Sequence, residues 1–298
     1  MQYLSFVTLL WAFSFSLIGV YLAGQVDSWF AAFSRVAIAL LIFLPFTRPS
    51  GVTPRVALQL MAIGAIQIGL MYGFYYHSFL YLSVPEVLLF TVMTPVYITI
   101  INDLIEKKLH LHYLFVALLA TAGAITIRQA QVNEDFWTGL LLVQGANFCF
   151  ALGQVLYQRL PKGNALPPQH TCFGFFFFGA LIVTGLSYMI LGNSEKLPTT
   201  QLQWGILIYL GLVASGLGYF LWNKGATLVS VGALAIMNNV LIPAGVLVNL
   251  LIWNRQADLL SLLIGSGIIC LALLVNYYFE KKTITQPSKK PQRSNRKL

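Results

Sequence analysis

The chain reads as an all-α integral membrane protein, with ten transmembrane helices arranged as two inverted five-helix repeats and both termini in the cytoplasm. Three observations predict this: the composition, a series of long apolar runs, and a likeness between the two halves. Of 298 residues, 58% are hydrophobic and 9% charged, and the mean hydropathy is +0.76, so polar groups are too few to cover a water-soluble globule. Lipid must be the solvent for most of the surface, which excludes a cytosolic enzyme, a secreted disulfide scaffold and a disordered regulator.

Crossing a hydrocarbon core of about 30 Å takes roughly 20 residues of helix. Runs of that kind lie at 3–22, 29–47, 57–80, 84–105, 111–128, 138–158, 170–191, 204–223, 230–253 and 259–279. They are continuous, not alternating, and far exceed the roughly 10 residues of a barrel strand, so helices are expected. The first run lacks a charged leader and a small-x-small cleavage site, and reads as a retained span.

Charge sets the orientation. Placing both ends inside gives inner loops Arg48, Arg55, Lys107, Lys108, Arg159, Lys162 and Lys224, to which the tail adds Lys281, Lys282, Lys289, Lys290, Arg293, Arg296 and Lys297. The outer loops hold three basic residues, Arg128, Lys196 and Arg255, and Arg35 lies inside the second run. Fourteen against three satisfies the positive-inside rule. Segment 281–298, basic and without apolar period, reads as a disordered cytoplasmic tail in contact with anionic lipid at most. No nucleic-acid partner is expected, because the net charge of +9 is concentrated there. Cys149, Cys172 and Cys270 fall in apolar runs without metal-binding spacing and read as packing residues, so no metal and no cofactor is expected.

Sliding the chain by 147 positions pairs Leu60 with Leu207, Gly64 with Gly211, Gly69 with Gly216, Tyr72 with Tyr219, Ser83 with Ser230 and Val84 with Val231. A one-residue slip then pairs Pro95 with Pro243. The two units are 1–128 and 138–280, five spans each, and an odd number of spans forces the second copy into the membrane from the opposite side. Inverted halves suit a carrier, since exchanging the conformations of nearly equivalent halves exposes a central site to either face.

Polar groups inside the runs mark the candidate pathway, because each is costly in hydrocarbon. Taken along the chain, the first is Trp11, whose indole face suits an apolar or cationic part of a substrate. Arg35 reads as an anchor to outer headgroups or to a neighbouring carbonyl, with a place in the pathway as the alternative. The third run carries His77, which either lines a cavity and titrates during transport or is a satisfied interfacial histidine. Glu86 follows Pro85, where it caps a helix or attracts a cationic group at the outer mouth. The fourth run supplies Thr91, Thr94 and Asn102 at similar period, and its Pro95 removes a hydrogen bond and kinks the helix.

The sixth run places Gln144, Asn147, Gln154 and Gln158 on one face, at helical spacing, and lipid cannot be what that face meets. Trp222 and Lys224 close the eighth run, where the lysine either snorkels or lies at the pathway entrance. The ninth holds Asn238 and Asn239 before the second kink, Pro243, and Asn249 beyond it. Glycines 64, 69, 73, 211, 216 and 218 let the third and eighth runs pack closely and bend.

Several of these segments resemble the drug/metabolite transporter superfamily, and within it the ten-helix EamA-type carriers. LLWAFSF at 9–15, SRVAIALL at 34–41, TVMTPVY at 91–97 with Glu106, ALGQVLYQRL at 151–160, GYFLWNKGATLVSVGALA at 218–235 and LLIGSGIICLALLV at 262–275 carry the likeness. WNRQAD at 253–258 departs from it, lacking a second helix-ending glutamate. The resemblance implies a central site surrounded by the first, third, fourth, sixth, eighth and ninth helices.

The expected activity is therefore alternating-access transport of small polar metabolites across the cytoplasmic membrane, with lipid and a small-molecule substrate as partners. Export of amino acids or related amines is the substrate class the resemblance implies. A translocator of lipid-linked or nucleotide-sugar cargo would keep the fold. An intramembrane enzyme would need a reactive constellation such as HExxH or paired acids at membrane depth, and the runs contain none.

Overall fold

The structure is a computed structural model that describes residues 1–107, 134–160 and 167–253, with scattered positions between 260 and 278. Among the described residues there is no strand, and eight helices are long and apolar enough to span a membrane. They are α1 (Gln2–Tyr21), α2 (Ser28–Phe46), α3 (Pro54–Ser78), α4 (Val84–Glu106), α5 (Asp135–Gln158), α6 (Gln169–Leu191), α7 (Gln201–Ala226) and α8 (Val231–Trp253). The runs at 111–128 and 259–279 lie outside the described residues, apart from those scattered positions, as does the tail at 281–298.

Short polar caps start the spans. Asp27 accepts the Phe30 N–H at 2.7 Å ahead of α2, Thr53 and Pro54 open α3, and a Thr200/Gln203 capping box opens α7. Each meets N–H groups that the first helical turn leaves without partners. Lys107 ends α4 in the left-handed region, at φ 55°.

The spans are irregular inside. A π turn widens α3 at Ala65–Leu70, another widens α7 at Leu210–Leu217, and a third ends α8 at Asn249–Trp253. In α4 the helix tightens to a 3-10 turn at Thr91–Met93, directly before Pro95. The second proline lies inside α8, which stays α-helical through Pro243 to Val248 and changes geometry at Asn249. One missing hydrogen bond can bend a helix without ending it.

Packing follows from the small residues. The π turn of α3 lies on α6, and the π turn of α7 lies on α2, while α2 and α6 pack on each other. A Cβ at Gly64 would strike the Phe176 backbone and one at Gly179 the Met61 backbone, so α3 and α6 approach as only bare glycines allow. α1 packs against α7 and α8, and α5 against α3 and α4. Large apolar side chains such as Leu9, Leu41, Leu141, Met189 and Leu251 point outward, as lipid contact requires.

Candidate functional site

A cavity lies between α1, α2, α3, α4, α5, α7 and α8. Trp11, Ser14, Phe15, Arg35, Tyr72, Tyr75, Thr94, Asn147, Phe150, Tyr219 and Asn238 are among its lining residues. These include the six helices that the family resemblance implies, with α2 added through Arg35.

Arg35 is 3% exposed. Its Nε donates to the Leu210 carbonyl at 3.1 Å and to Ser215 Oγ, and Nη1 donates to the Tyr76 hydroxyl at 3.3 Å. The guanidinium carbon lies 4.5 Å from the Tyr72 ring centre, and Tyr72 shares a 2.7 Å hydrogen bond with Ser215. All of these partners are neutral, and among the described residues no carboxylate pairs with the guanidinium. A cation at a helix centre costs about 2.5–3.5 kcal/mol on insertion scales, offset here by hydroxyls, a carbonyl and a ring face.

Local sequence explains the placement. Ser28, Ala31, Ala32, Arg35 and Ala39 share the buried face of α2, and small neighbours let the π turn of α7 come close. Because a π turn pairs i with i+5, it displaces carbonyls from their usual helical partners. Those of Leu210 and Ala214 meet Arg35 and the Trp11 indole N–H, the latter at 2.8 Å. Arg35 therefore bonds a neighbouring carbonyl and also lines the cavity.

The opposite wall is built on the break in α4. Thr94 N–H turns to the Thr91 carbonyl in the 3-10 turn, leaving the Phe90 carbonyl free of its ordinary partner. Asn147 Nδ2 donates to that carbonyl at 2.9 Å and to Gln144 Oε1 at 3.2 Å, and Gln144 reaches the same carbonyl at 3.5 Å. Asn147 Oδ1 and Thr94 Oγ1 have no partner among the described residues, and both residues line the cavity. Beside them, Gln154 Oε1 accepts from Trp222 Nε1 at 2.9 Å and from Asn238 Nδ2 at 3.0 Å, tying α5 to α7 and α8. Rings of Trp11, Phe150, Tyr219 and Trp222 pack between the two walls, with Trp11 and Trp222 centroids 4.8 Å apart.

Of the residues singled out from sequence, Trp11, Thr94, Asn147 and Asn238 line the cavity, while Gln144, Gln154 and Trp222 brace those that do. Asn239 is buried, and its Oδ1 lacks a partner among the described residues. Pro95 is the second residue of the restarted helix of α4, and Pro243 lies within α8. The remaining three lie elsewhere. His77 occupies a separate cleft with Trp29, Phe74, Thr138 and Val183, its ring 4.4 Å from that of Trp29 and its Nδ1 2.7 Å from the Gly73 carbonyl oxygen. Glu86 accepts the Ser83 N–H at 2.7 Å in a capping box. Lys224 Nζ is 5.0 Å from the Tyr3 ring centre. Gln158 also serves a helix end, donating to the carbonyls of Ala226 and Val229.

Long apolar helices surrounding an aromatic-walled cavity with a few placed polar groups are the build of a multi-pass membrane transporter. The model of the EamA-like transporter family matches residues 2–129 and 137–278, and the chain belongs to that family; it is a transporter and not an enzyme. It is 51% identical over 277 residues to a probable biotin transporter of Pseudomonas aeruginosa, covering 93% of this chain and 97% of that one. It is 50% identical to a biotin transporter of Escherichia coli K12, covering 93% and 92%. A solved crystal structure at 16% identity shares the fold, with a TM-score of 0.67 over 94% of this chain and 98% of the other. Amino-acid export receives no support from relatives named for biotin.

Proposed function

We propose that this protein carries biotin across the cytoplasmic membrane by alternating access. The observation that carries the reading is the makeup of the cavity: one cation, Arg35, no acidic side chain among the described lining residues, and walls of aromatic rings. Biotin is a monocarboxylate with an apolar chain and an uncharged ureido ring, and each part has a counterpart there. An amino acid would bring an ammonium group that no lining carboxylate meets, and a nucleotide sugar would bring more negative charge than one arginine answers. The names of the relatives support the same cargo.

Reciprocal packing supports the inverted-repeat reading, in that the π turn of α3 lies on α6 as the π turn of α7 lies on α2. In this arrangement both termini face the cytoplasm and the two halves rock about the shared core of α2, α3, α6 and α7. His77 and Lys224, at corresponding positions of the halves, lie outside the cavity and act in packing and orientation.

Uptake of radiolabelled biotin into a biotin auxotroph lacking its own carrier tests the reading. Expression of this chain restores uptake and growth at low external biotin. Growth no better than with an empty vector, at normal membrane levels of the protein, rejects biotin as cargo.

A further inference from the structure

Resting on the biotin reading, we infer that Arg35 binds the free carboxylate of the substrate and makes the carrier selective for the acid over its amide and alcohol. A guanidinium has five N–H donors. Here Nε spends its one on Leu210 and Ser215, and Nη1 spends one on Tyr76, so three remain, two of them on Nη2. Arg35 lines the cavity, and its nitrogens are not among the sealed-off polar atoms that lack partners. The two donors of Nη2, which has no partner and is not among the sealed-off atoms, thus open onto the space a substrate would occupy, where a carboxylate can accept them.

Among the described residues no carboxylate meets the guanidinium. Every group given to Arg35 by α3 and α7 is a neutral hydroxyl, carbonyl or ring, so an incoming carboxylate supplies the first anion in its surroundings. The Leu210 carbonyl and Ser215 hydroxyl hold the side chain still before the substrate arrives, which reduces the entropy lost on binding. Across the cavity, Thr94 and Asn147 offer an unspent hydroxyl and amide oxygen, suited to N–H donors of a ureido ring. That division orients the substrate, carboxylate toward α2 and ring toward α4 and α5.

Competition in the wild-type carrier tests this without altering the fold. Unlabelled biotin, biotinamide and biotinol are compared as inhibitors of labelled biotin uptake. The acid should compete at concentrations at least about tenfold below either neutral analogue, the range expected for losing a charge-assisted hydrogen bond. Neutral analogues that compete within about twofold of the acid overturn the inference.

In the variants R35Q and R35K, biotin uptake should fall by at least about tenfold, and in R35Q the preference for acid over amide should vanish. An acid preference that persists in folded R35Q, checked by size-exclusion profile, overturns the assignment to Arg35. Should wild-type cells take up no biotin, the proposed cargo fails while Arg35 is still tested. Purified wild-type protein is then heated with C5–C10 monocarboxylates or their primary amides. Stabilisation by the acids alone, lost in R35Q, upholds the anion site; none, or equal stabilisation by acids and amides, rejects it.

Discussion

The Trp11 indole N–H donates to the Ala214 carbonyl at 2.8 Å, joining α1 to the π turn of α7. The bond meets a carbonyl displaced from helical pairing, and the same indole packs against Tyr219 and Trp222 at centroid distances of 5.1 and 4.8 Å. Trp11→Phe keeps an aromatic wall and removes the donor. It should lower stability by about 0.6–1.7 kcal/mol, the range for single interhelical hydrogen bonds in membranes, and Trp11→Ala by more. Thermal unfolding of the purified protein in one detergent checks both values, and equal melting of Trp11→Phe and wild type would remove the hydrogen bond from the account.

A second prediction concerns the seam between α3 and α6. An added Cβ at Gly64 or Gly179 meets backbone of the facing helix, which no rotamer change relieves. Gly64→Ala and Gly179→Ala should each cost about 1–3 kcal/mol as overpacking. Gly205 in α7 provides the control, since nothing lies within 4 Å of its would-be Cβ. Gly205→Ala should stabilise by up to about 1 kcal/mol through helix propensity. Melting temperatures that move alike in all three variants would show that the close approach carries no energetic weight.

The sequence made the spans legible because burial in lipid leaves a long, one-signed signal, and the eight described helices match eight of the ten runs closely. The amide face of α5 was legible too, since Gln144, Asn147 and Gln154 all face neighbouring helices, as their spacing requires. What periodicity could not distinguish was which side of a helix meets the cavity and which meets another helix. His77 and Tyr72 lie on the same helix, yet one is in the cleft beside Trp29 and the other in the cavity. Both follow the π turn at Ala65–Leu70, and five residues of plain helix set them roughly 140° apart, while the π turn shifts their faces relative to that of Pro54–Gly64, a change of phase without a residue signature. For Arg35 the sequence left the choice between headgroups, a neighbouring carbonyl and the pathway open, and the Leu210 carbonyl and Ser215 hydroxyl reveal its inward path.

That separation of His77 from the cavity yields a third prediction. His77→Ala should leave biotin uptake within about twofold of wild type, as expected for a side chain remote from the site. Asn147→Ala removes the donor to the Phe90 carbonyl and the free oxygen at the cavity wall, and should reduce uptake by about tenfold or more. Parallel uptake assays, normalised to membrane expression, decide it. Loss of transport in His77→Ala with Asn147→Ala unaffected would place the pathway in the lateral cleft.

At the end of the helices assigned to the cytoplasm, Arg159, just past α5, donates to Asn102 and to Glu106 of α4, the latter at 3.2 Å. The two charged side chains are 35% and 39% exposed, so solvent and salt screen the pair and its worth to stability is about 0–1 kcal/mol. Arg159→Ala should therefore shift the melting temperature little. Under the two-repeat division, however, α4 and α5 belong to different halves, and a contact between halves at one mouth must break each time that mouth opens. Arg159→Glu places two negative charges at the junction and should favour the state open on that side, lowering uptake and raising the labelling of a cysteine introduced at Asn102. Exchanging the charges, with Glu106→Arg added to Arg159→Glu, should restore both readouts toward wild type. If the exchanged pair transports no better than the single reversal, the contact does not act as a closure between the halves.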